Sequence, residues 1–440
     1  MGLLIYMNNR RRILNKVFLY IIVFLVVIII LQILGILACA IPRKILYNNV
    51  KETSEQLYNI GEKYEKSYLN KSITNFYFTD ILMVNISYSV DNQRPFESFI
   101  LARKNYNSDK KGYVETMGKD VLASDEYMNL KNGTANELLD FVKGKEIKKT
   151  FEYSRYWNGY ITFLRPLLCI MDYKKIIILL LLLTLVLITV YSIEIYKHSN
   201  IYMVIAFILP LILMDMFFSM LTINANICFI IAIISSIIVV KNKKENINTF
   251  IFFAIGILTN FFDLLTLPLL TVGYPLISLI ILYRKRKDDK ILTKEILINL
   301  LSWILGYAIC WVSKWIITDI IFKRNVILNA INQIIFRTTG DGFSIKHLIF
   351  RITYYLGYFN CALMLVLMLM YYVMDKRKTY YNVIIYMPII WLVALKNHST
   401  VHAFFTYKEL QITMFAVMSA ILDNRIIKNC KRKNKNVIKK

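Results

Sequence analysis

Long apolar stretches alternate with short polar segments along most of the chain, and this alternation predicts a polytopic membrane protein. An α-helix needs about 20 apolar residues to cross the hydrocarbon core of a bilayer. The stretches predict ten transmembrane helices, at about 17–40, 174–196, 201–221, 223–240, 249–265, 267–283, 294–317, 354–374, 381–396 and 409–425. The expected fold class is therefore all-α, with about ten membrane-spanning helices.

Clusters of lysine and arginine lie between these stretches and predict which side of the membrane each loop occupies. They occur at Arg10–Arg12, Lys241–Lys244, Arg284–Lys287, Lys376–Lys378 and from Lys428 to the C-terminus. Short loops rich in Lys and Arg stay in the cytoplasm. An even number of crossings must therefore separate consecutive clusters, and ten helices satisfy this condition with both termini in the cytoplasm.

One connection is far longer than the others. Residues 41–173 are predicted to form a helical extracytoplasmic loop between the first and second transmembrane helices, because a long domain crosses the membrane largely regardless of its charge. The chain then divides into a cytoplasmic N-terminus with the first helix (1–40), this loop (41–173), a bundle of the remaining nine helices (174–425) and a basic cytoplasmic tail (426–440).

Composition and charge agree with a location in the cell membrane. Hydrophobic residues make up 57% of the chain, and the formal net charge is +25. Basic loops facing anionic lipid account for this charge, and nucleic acid is the weaker explanation. The six cysteines show no CxxC or Cys/His ligand spacing, so neither a zinc site nor a disulfide framework is expected.

Three polar clusters are predicted to lie on the extracytoplasmic side. The first contains Asp80, which follows Thr79 in an aromatic segment of the long loop. A lone aspartate of this kind is commonly a helix N-cap or a solvated carboxylate. Its alternative role is that of a general base, or of a carboxylate that orients the hydroxyl of an acceptor.

The second cluster interrupts an apolar hairpin with Asn260, Asp263 and Thr266, shortly before Pro268. An ionisable group at membrane depth costs about 2.5–3.5 kcal/mol on insertion scales, and it usually faces a cavity or a partner. Asp263 and Thr266 are therefore candidate substrate-binding residues. The alternative is a hairpin turn in which Asp263 caps the next helix, and Pro268 in the first turn favours that interpretation.

The third cluster is the strip that contains His398 and His402, together with Asn397, Tyr407 and Lys408. Two histidines four positions apart share a helical face, but no third metal ligand is near, so a phosphate-binding role is favoured over a metal site. An aromatic belt with a snorkelling lysine is the structural alternative.

A fourth segment closes the long loop with Arg155, Trp157, Tyr160 and Arg165. Aromatic rings at this position serve as interfacial anchors, and they also stack on sugars, while the arginines suit a phosphate. The connection after the seventh helix adds Arg337, which belongs either to a lid or to a solvated loop.

Three of these segments also resemble a protein family. They are Tyr153–Tyr160 with Phe163–Pro166, Phe262–Leu269, and Asn397–Ser399 with His402, Phe405 and Tyr407. Together they resemble an uncharacterised bacterial group within the GT-C superfamily of membrane glycosyltransferases, over about residues 75 to 410. The resemblance implies a polyprenyl-phosphate-linked sugar as donor and a catalytic aspartate in the first outer loop, a role that falls on Asp80.

The function expected from the sequence is thus transfer of a sugar from a polyprenyl-phosphate donor to a glycan or other cell-envelope acceptor outside the cytoplasm. A polysaccharide polymerase or ligase, or a flippase or transporter for lipid-linked saccharides, remains the alternative. No internal repeat of the transporter kind is visible. The sequence requires no cofactor, although a divalent cation remains open.

Overall fold

The structure of this chain is a computed structural model. It describes residues 2–61, 63–68, 71–106, 133–147, 149–242, 244–284, 286–339, 342–374 and 379–422. The described residues are mainly helical, as the sequence predicts. The basic tail at 426–440 lies outside them.

The loop at 41–173, here called the loop domain, contains both helices and strands. Before and within it lie α1 (Gly2–Ala40), α2 (Arg43–Ile60), β1 (Lys63–Tyr68), β2 (Lys71–Phe76), α3 (Phe78–Ser89), α4 (Pro95–Leu101), β3 (Arg103–Tyr106), α5 (Gly133–Val142), β4 (Lys149–Glu152) and α6 (Ile161–Ile170). The strands form two antiparallel pairs, β1 with β2 and β3 with β4. These hairpins correct the prediction of an entirely helical loop.

The rest of the described chain is a helical bundle. It comprises α7 (Tyr173–His198), α8 (Ile201–Leu213), α9 (Met216–Ser219), α10 (Ile223–Lys241), α11 (Asn248–Phe262), α12 (Leu270–Tyr283), α13 (Asp289–Phe322), α14 (Val326–Thr338), α15 (Ile345–Leu356), α16 (Tyr358–Met374), α17 (Thr379–Ala394), α18 (Lys396–Val401), α19 (Ala403–Thr406) and α20 (410–422). Short 3-10 turns lie at Glu245–Ile247 and Tyr407–Glu409.

The apolar helices indicate a membrane protein, but the prediction of ten crossings is not confirmed. Among the described residues, four helices are long and apolar enough to span a bilayer: α1, from Leu14 onward, α7, α10 and α13. The bent pair formed by α15 and α16 would make a fifth. Five further apolar helices are shorter, namely α6, α8, α11, α12 and the apolar part of α17.

Two predicted helices are broken in the structure. The helix expected at 201–221 ends at Leu213, and Asp215 then adopts a left-handed conformation with φ of 54° before α9 begins. The helix expected at 354–374 begins only after a bend of 103° at Gly357, whose φ is 80°. Glycine adopts this backbone conformation readily, so the chain can turn sharply between α15 and α16.

Buried apolar side chains of the described residues form two large clusters that adjoin. One joins the loop domain to α1, α6 and the first half of α7, and the other fills the bundle of α8, α10, α12, α13, α17 and α20. The clusters adjoin at the segment before α6 and at the turn after α11, since Tyr156 and Leu265 belong to one cluster and Trp157 and Phe261 to the other. The predicted polar clusters lie at this junction.

Candidate functional site

Asp80 lies at the start of α10, although it belongs to α3 of the loop domain. Its Oδ2 accepts hydrogen bonds from the Tyr173 hydroxyl (2.6 Å) and the Ile223 amide (2.8 Å), and its Oδ1 accepts one from the Asn224 amide (3.4 Å). The first amides of a helix have no acceptor within that helix, and Thr222 before α10 makes no side-chain cap. Asp80 therefore caps α10 from a distant part of the chain.

The carboxyl group of Asp80 is fully buried. Burial raises the pKa of Asp80 to about 6, and the hydrogen bonds from Tyr173, Ile223 and Asn224 act in the opposite direction. Near neutral pH the group is mostly ionised, which suits its position at the positive end of the α10 dipole.

Hydrogen bonds connect Asp80 to the second predicted cluster. The side chain of Asn224, whose amide reaches Asp80, donates from Nδ2 to Thr266 Oγ1 (3.5 Å). The amide of Thr266 in turn donates to Asp263 Oδ1 (2.8 Å). Asp263 follows the last residue of α11, and Oδ1 also accepts from the Cys228 thiol (3.3 Å). One path thus runs from Asp80 through Asn224 and Thr266 to Asp263.

The three predicted clusters meet around a small polar cavity of about 30 Å³. Thr79 lines it from the first cluster, Thr266 from the second, and Phe405 and Lys408 from the third. A cavity needs about 10–15 Å³ to hold one water molecule, so this space accommodates about two.

The third cluster contacts the turn after α11 through His398. His398 Nε2 lies 3.4 Å from the carbonyl oxygen of Leu265, and the His398 and His402 rings are 4.8 Å apart. His402 stacks on Phe405 at 5.2 Å. Leu265 has φ of 64°, a left-handed conformation that is uncommon for leucine.

Burial and the nearby Arg337 guanidinium keep both imidazoles neutral. They lower the pKa of His402 to about 3, and burial with the charges of His402 and Arg337 lowers the pKa of His398 well below 6.5. The pair therefore offers neutral hydrogen-bonding groups at physiological pH, and Arg337 supplies the positive charge beside it.

The remaining polar residues of the third cluster tie neighbouring segments together. Asn397 donates to the Phe336 carbonyl (2.7 Å) and accepts from the Phe343 amide (3.3 Å), so it connects α14 with the segment that follows. Lys408 is buried and donates to Ser219 Oγ (2.6 Å). Tyr407 stacks with Tyr355 at 6.2 Å.

Beside the turn at Leu265 lies a much larger apolar groove of about 860 Å³. α13 forms one wall, with Leu297, Leu300, Trp303, Ile304, Tyr307, Ala308, Trp311 and Trp315, which recur at the three- and four-residue spacing of one helical face. α17 forms another wall, and α14 contributes Ala330, Gln333, Ile334 and Arg337. From Leu297 to Trp315 the groove follows α13 for roughly 27 Å at a helical rise of 1.5 Å per residue.

One end of the groove holds two arginines. The carbonyl of Arg155 accepts hydrogen bonds from the indoles of Trp311 (2.9 Å) and Trp315 (3.1 Å), which places Arg155 at the Trp315 end. Arg337 is buried and donates to the Tyr156 hydroxyl (3.0 Å). The groove is thus apolar along its length and cationic at the end nearest the histidine strip.

Three of the predicted binding residues lie in the protein core instead of at these cavities. Trp157 is fully buried, donates to the Cys310 carbonyl (2.8 Å) and stacks on Phe261. Tyr160 is fully buried and donates to Asn158 Oδ1 (3.1 Å). Arg165 is also fully buried, and it donates to the carbonyls of Ala38, Ser87 and Ile41. Arg165 therefore joins the end of α1 to the loop domain.

The groove and its aromatic wall were not predicted from the sequence. The sequence does contain a pattern for the aromatic wall, because Trp303, Tyr307, Trp311 and Trp315 are each four residues apart. Such spacing is equally typical of a buried helical face. Arg337 was placed in a loop or lid, whereas it lies near the end of α14 and faces the groove.

Within the described residues, no group of three or more His, Cys, Asp or Glu side chains is placed to hold a metal ion. Comparisons of the chain with known protein families, with curated proteins and with solved structures give no match. The apolar helices indicate a helical membrane protein, and a long apolar groove lies between its helices.

Proposed function

We propose that this chain is an integral membrane glycosyltransferase that uses a polyprenyl-phosphate-linked sugar as donor. It would act at the extracytoplasmic face, with both termini in the cytoplasm, and transfer the sugar to a glycan or another cell-envelope acceptor. The observation that carries this proposal is the long apolar groove that ends beside Arg155, Arg337 and the two histidines.

The walls of the groove match the lipid part of such a donor. Ligand pockets of about 300–1,000 Å³ are lined mostly by apolar and aromatic side chains, with a few polar groups that fix orientation. The groove contains four aromatic residues from α13 alone, and its length of roughly 27 Å along that helix approaches the 30 Å of a bilayer core. A long hydrocarbon chain would therefore lie along α13.

The cationic end of the groove matches the phosphate of the donor. Arginine presents a planar fork of donors that suits phosphate oxygens, and such charge-assisted hydrogen bonds are about twice as strong as neutral ones. Arg337 would bind the phosphate, with Arg155 beside it and the neutral histidines as additional hydrogen-bonding groups. The sugar would then lie between Arg337 and the turn that begins at Asp263.

Glycosyl transfer needs the leaving phosphate to be stabilised as its negative charge develops. Fixed positive charge in a site that excludes water supplies this stabilisation. A direct displacement also needs a base for the hydroxyl of the acceptor and forms no covalent intermediate with the enzyme. The aspartates of the first two clusters are the candidates for that base.

Purified protein in liposomes tests this function, with a panel of polyprenyl-phosphate sugars and envelope glycans as acceptors. The Arg337→Gln variant is expected to lower kcat/KM by roughly 100-fold, the typical effect of removing one group that stabilises the leaving charge. Arg324→Gln is the matched control, because Arg324 pairs with Glu152 (2.9 Å) and does not line the groove. It should retain wild-type transfer.

The same experiment separates transfer from the alternative functions. Consumption of the donor with a new glycosidic product supports the transferase. Movement of an intact donor between the two leaflets without any such product would support a flippase instead. Equal activity of the Arg337→Gln and Arg324→Gln variants would contradict the assignment of the phosphate to this end of the groove.

A further inference from the structure

We infer that Asp263 is the base that takes the proton of the acceptor, and that Asp80 is a positioning residue. This inference rests on the proposed function. It differs from the assignment that the sequence suggests, in which the aspartate of the loop domain is catalytic.

The oxygens of Asp80 are already committed. Oδ2 accepts from the Tyr173 hydroxyl and the Ile223 amide, and Oδ1 accepts from the Asn224 amide. These three donors hold the carboxylate against the start of α10. A carboxylate has about four acceptor positions, so one remains on Oδ1, but transfer of a proton to Asp80 would weaken the cap that holds the first amides of α10.

One carboxylate oxygen of Asp263 is available as a hydrogen-bond acceptor. Oδ1 accepts from the Thr266 amide and the Cys228 thiol, whereas Oδ2 is buried and makes no hydrogen bond within the described residues. A buried acceptor without a donor costs about 1–3 kcal/mol, and native proteins keep few of them. Such a group is ready to accept a hydrogen bond from a substrate.

Asp263 itself lines neither the groove nor the small polar cavity, but residues next to it line both. Its charge acts on Tyr307, a groove-lining residue that also interacts electrostatically with Arg337. Leu265, two residues after Asp263, lines the groove, and Thr266 lines the small polar cavity. Arg337 and Asp263 thus both interact with Tyr307, which would bring the cation for the leaving phosphate and the carboxylate for the acceptor to the same part of the groove.

Glu409 is the other carboxylate with an uncommitted oxygen in this region. Its Oε1 accepts from the Leu269 amide (3.1 Å) at the start of α12, and its Oε2 makes no hydrogen bond within the described residues. Asp263 interacts electrostatically both with Glu409 and with Tyr307, which lines the groove. This favours Asp263 as the carboxylate at the groove.

Asp80 acts on Asp263 through the path described above. It holds the start of α10, which places Asn224 against Thr266, and the Thr266 amide holds Asp263 Oδ1. A shift of the residues along this path would misplace the Asp263 carboxylate, and a misplacement of about 1 Å can lower the rate roughly 100-fold. Asp80 thus influences the reaction without contacting the substrate.

The chemical step is balanced by these groups alone. The acceptor hydroxyl gives its proton to Asp263 Oδ2 while its oxygen forms a bond to the anomeric carbon of the sugar. The bond from that carbon to the phosphate oxygen breaks, and its electron pair leaves with the lipid phosphate, whose charge Arg337 stabilises. The Asp263 proton returns to water when the product leaves.

The test compares the variants Asp263→Asn, Asp80→Asn, Glu409→Gln and Thr266→Val in liposomes. The readouts are kcat, the pH dependence of kcat, donor KM and the thermal unfolding temperature. Asp263→Asn should lower kcat by roughly 100- to 10,000-fold, the usual contribution of a general base, with donor KM little changed. Asp80→Asn should lower the unfolding temperature, and its remaining activity should still rise with pH as the base loses its proton.

Thr266→Val keeps the inference testable if Asp80→Asn fails to fold. It removes the Thr266 Oγ1 contacts to Asn224 and Asp263 and leaves the Thr266 amide bonded to Asp263, so kcat should fall by between roughly 10- and 100-fold at unchanged donor KM. A near-normal kcat in Asp263→Asn would overturn the inference. So would a rise of activity with pH that persists in Asp263→Asn and is lost only in Asp80→Asn or Glu409→Gln. A wild-type protein inactive with every donor would overturn the proposed function itself.

Discussion

The buried carboxylate of Asp80 has two opposing effects on the stability of the protein. It supplies the acceptor that α10 lacks, and a side-chain cap of this kind stabilises a protein by about 0.5–2 kcal/mol. Burial also disfavours its charged form, which is why its pKa lies at about 6. The stability of the protein should therefore depend on whether Asp80 is ionised.

The direction of that dependence follows from the folded and unfolded pKa values. Between about pH 4 and pH 6 the folded protein keeps the Asp80 proton, whereas the unfolded chain, with a pKa near 3.8, has lost it. The free energy of unfolding should therefore fall as the pH rises through this window, by up to about 3 kcal/mol at 1.36 kcal/mol per pKa unit. Asp80→Asn should lack this contribution.

Thermal unfolding in detergent between pH 4 and pH 7 measures the effect as the difference between wild type and Asp80→Asn. The wild-type unfolding temperature should decline relative to that of the variant as the pH rises. Parallel curves for the two proteins would contradict the role of Asp80 as a buried cap.

At the scale of single residues, the sequence predicted the grouping of the clusters better than the role of each side chain. It predicted that the clusters of Asp80, Asp263 and the histidine strip face the same side of the membrane, and in the structure Thr79, Thr266 and Lys408 of these clusters line one small cavity. It could not show that Trp157 and Arg165 are core residues. Aromatic and cationic residues near an apolar run give the same sequence pattern whether their side chains contact a ligand, the lipid or backbone carbonyls.

At the scale of elements, the wall of the groove depends on a close helix crossing. α11 and α13 approach so closely at Gly256 and Gly306 that an added Cβ would lie 2.1 Å from the Trp303 and Phe253 carbonyl oxygens, respectively. Small residues allow such backbone contact between membrane helices. The same stretch of α13 carries Trp303 and Tyr307 into the groove, so the crossing positions the groove wall.

Gly256→Ala should disturb this crossing. The new methyl group would meet backbone, which cannot rotate away, and overpacking of this kind typically costs about 1–3 kcal/mol. We expect a lower unfolding temperature and weaker binding of polyprenyl phosphate. Leu301→Ala on the exposed side of α13 is the control. Unchanged stability and binding in Gly256→Ala would show that the helices can separate without loss.

Element boundaries were harder to predict from the sequence than element types. An apolar run continues across the break at Asp215 and across the bend at Gly357, so periodicity alone gives no signal there. The hairpins of the loop domain were missed because short strands rich in lysine resemble solvated loop. The helical class itself was predictable, since long apolar stretches leave few other arrangements for the backbone in a membrane.

At the scale of the whole molecule, the proposal requires the loop domain and the histidine strip to face the same compartment. The contacts between Asp80, α10 and the turn after α11 join the two regions, but the number of crossings remains a prediction. The positive-inside rule assigns the basic loop just before Lys290 to the cytoplasm and the loop domain to the opposite side.

Cysteine labelling of intact cells tests this arrangement in a variant that lacks the six native cysteines. Single cysteines at Lys145 in the loop domain and at Asn332 in α14 should react with a membrane-impermeant maleimide, since both positions are exposed. A cysteine at the exposed Lys290 should react only after the membrane is permeabilised. Labelling of Lys145 and Asn332 from opposite sides would refute a shared site.

The rim of the groove has a consequence for how a substrate arrives. Leu297, Ile304, Ile334 and Ile390 line the groove and are more than a third exposed, so in a membrane they would touch surrounding acyl chains. A long-tailed molecule could then slide in sideways from the bilayer. Its tail would never enter water, which avoids a transfer penalty of about 0.8 kcal/mol for every methylene. The rate at which a substrate enters the groove would then depend on its diffusion within the membrane and not on its extraction from it.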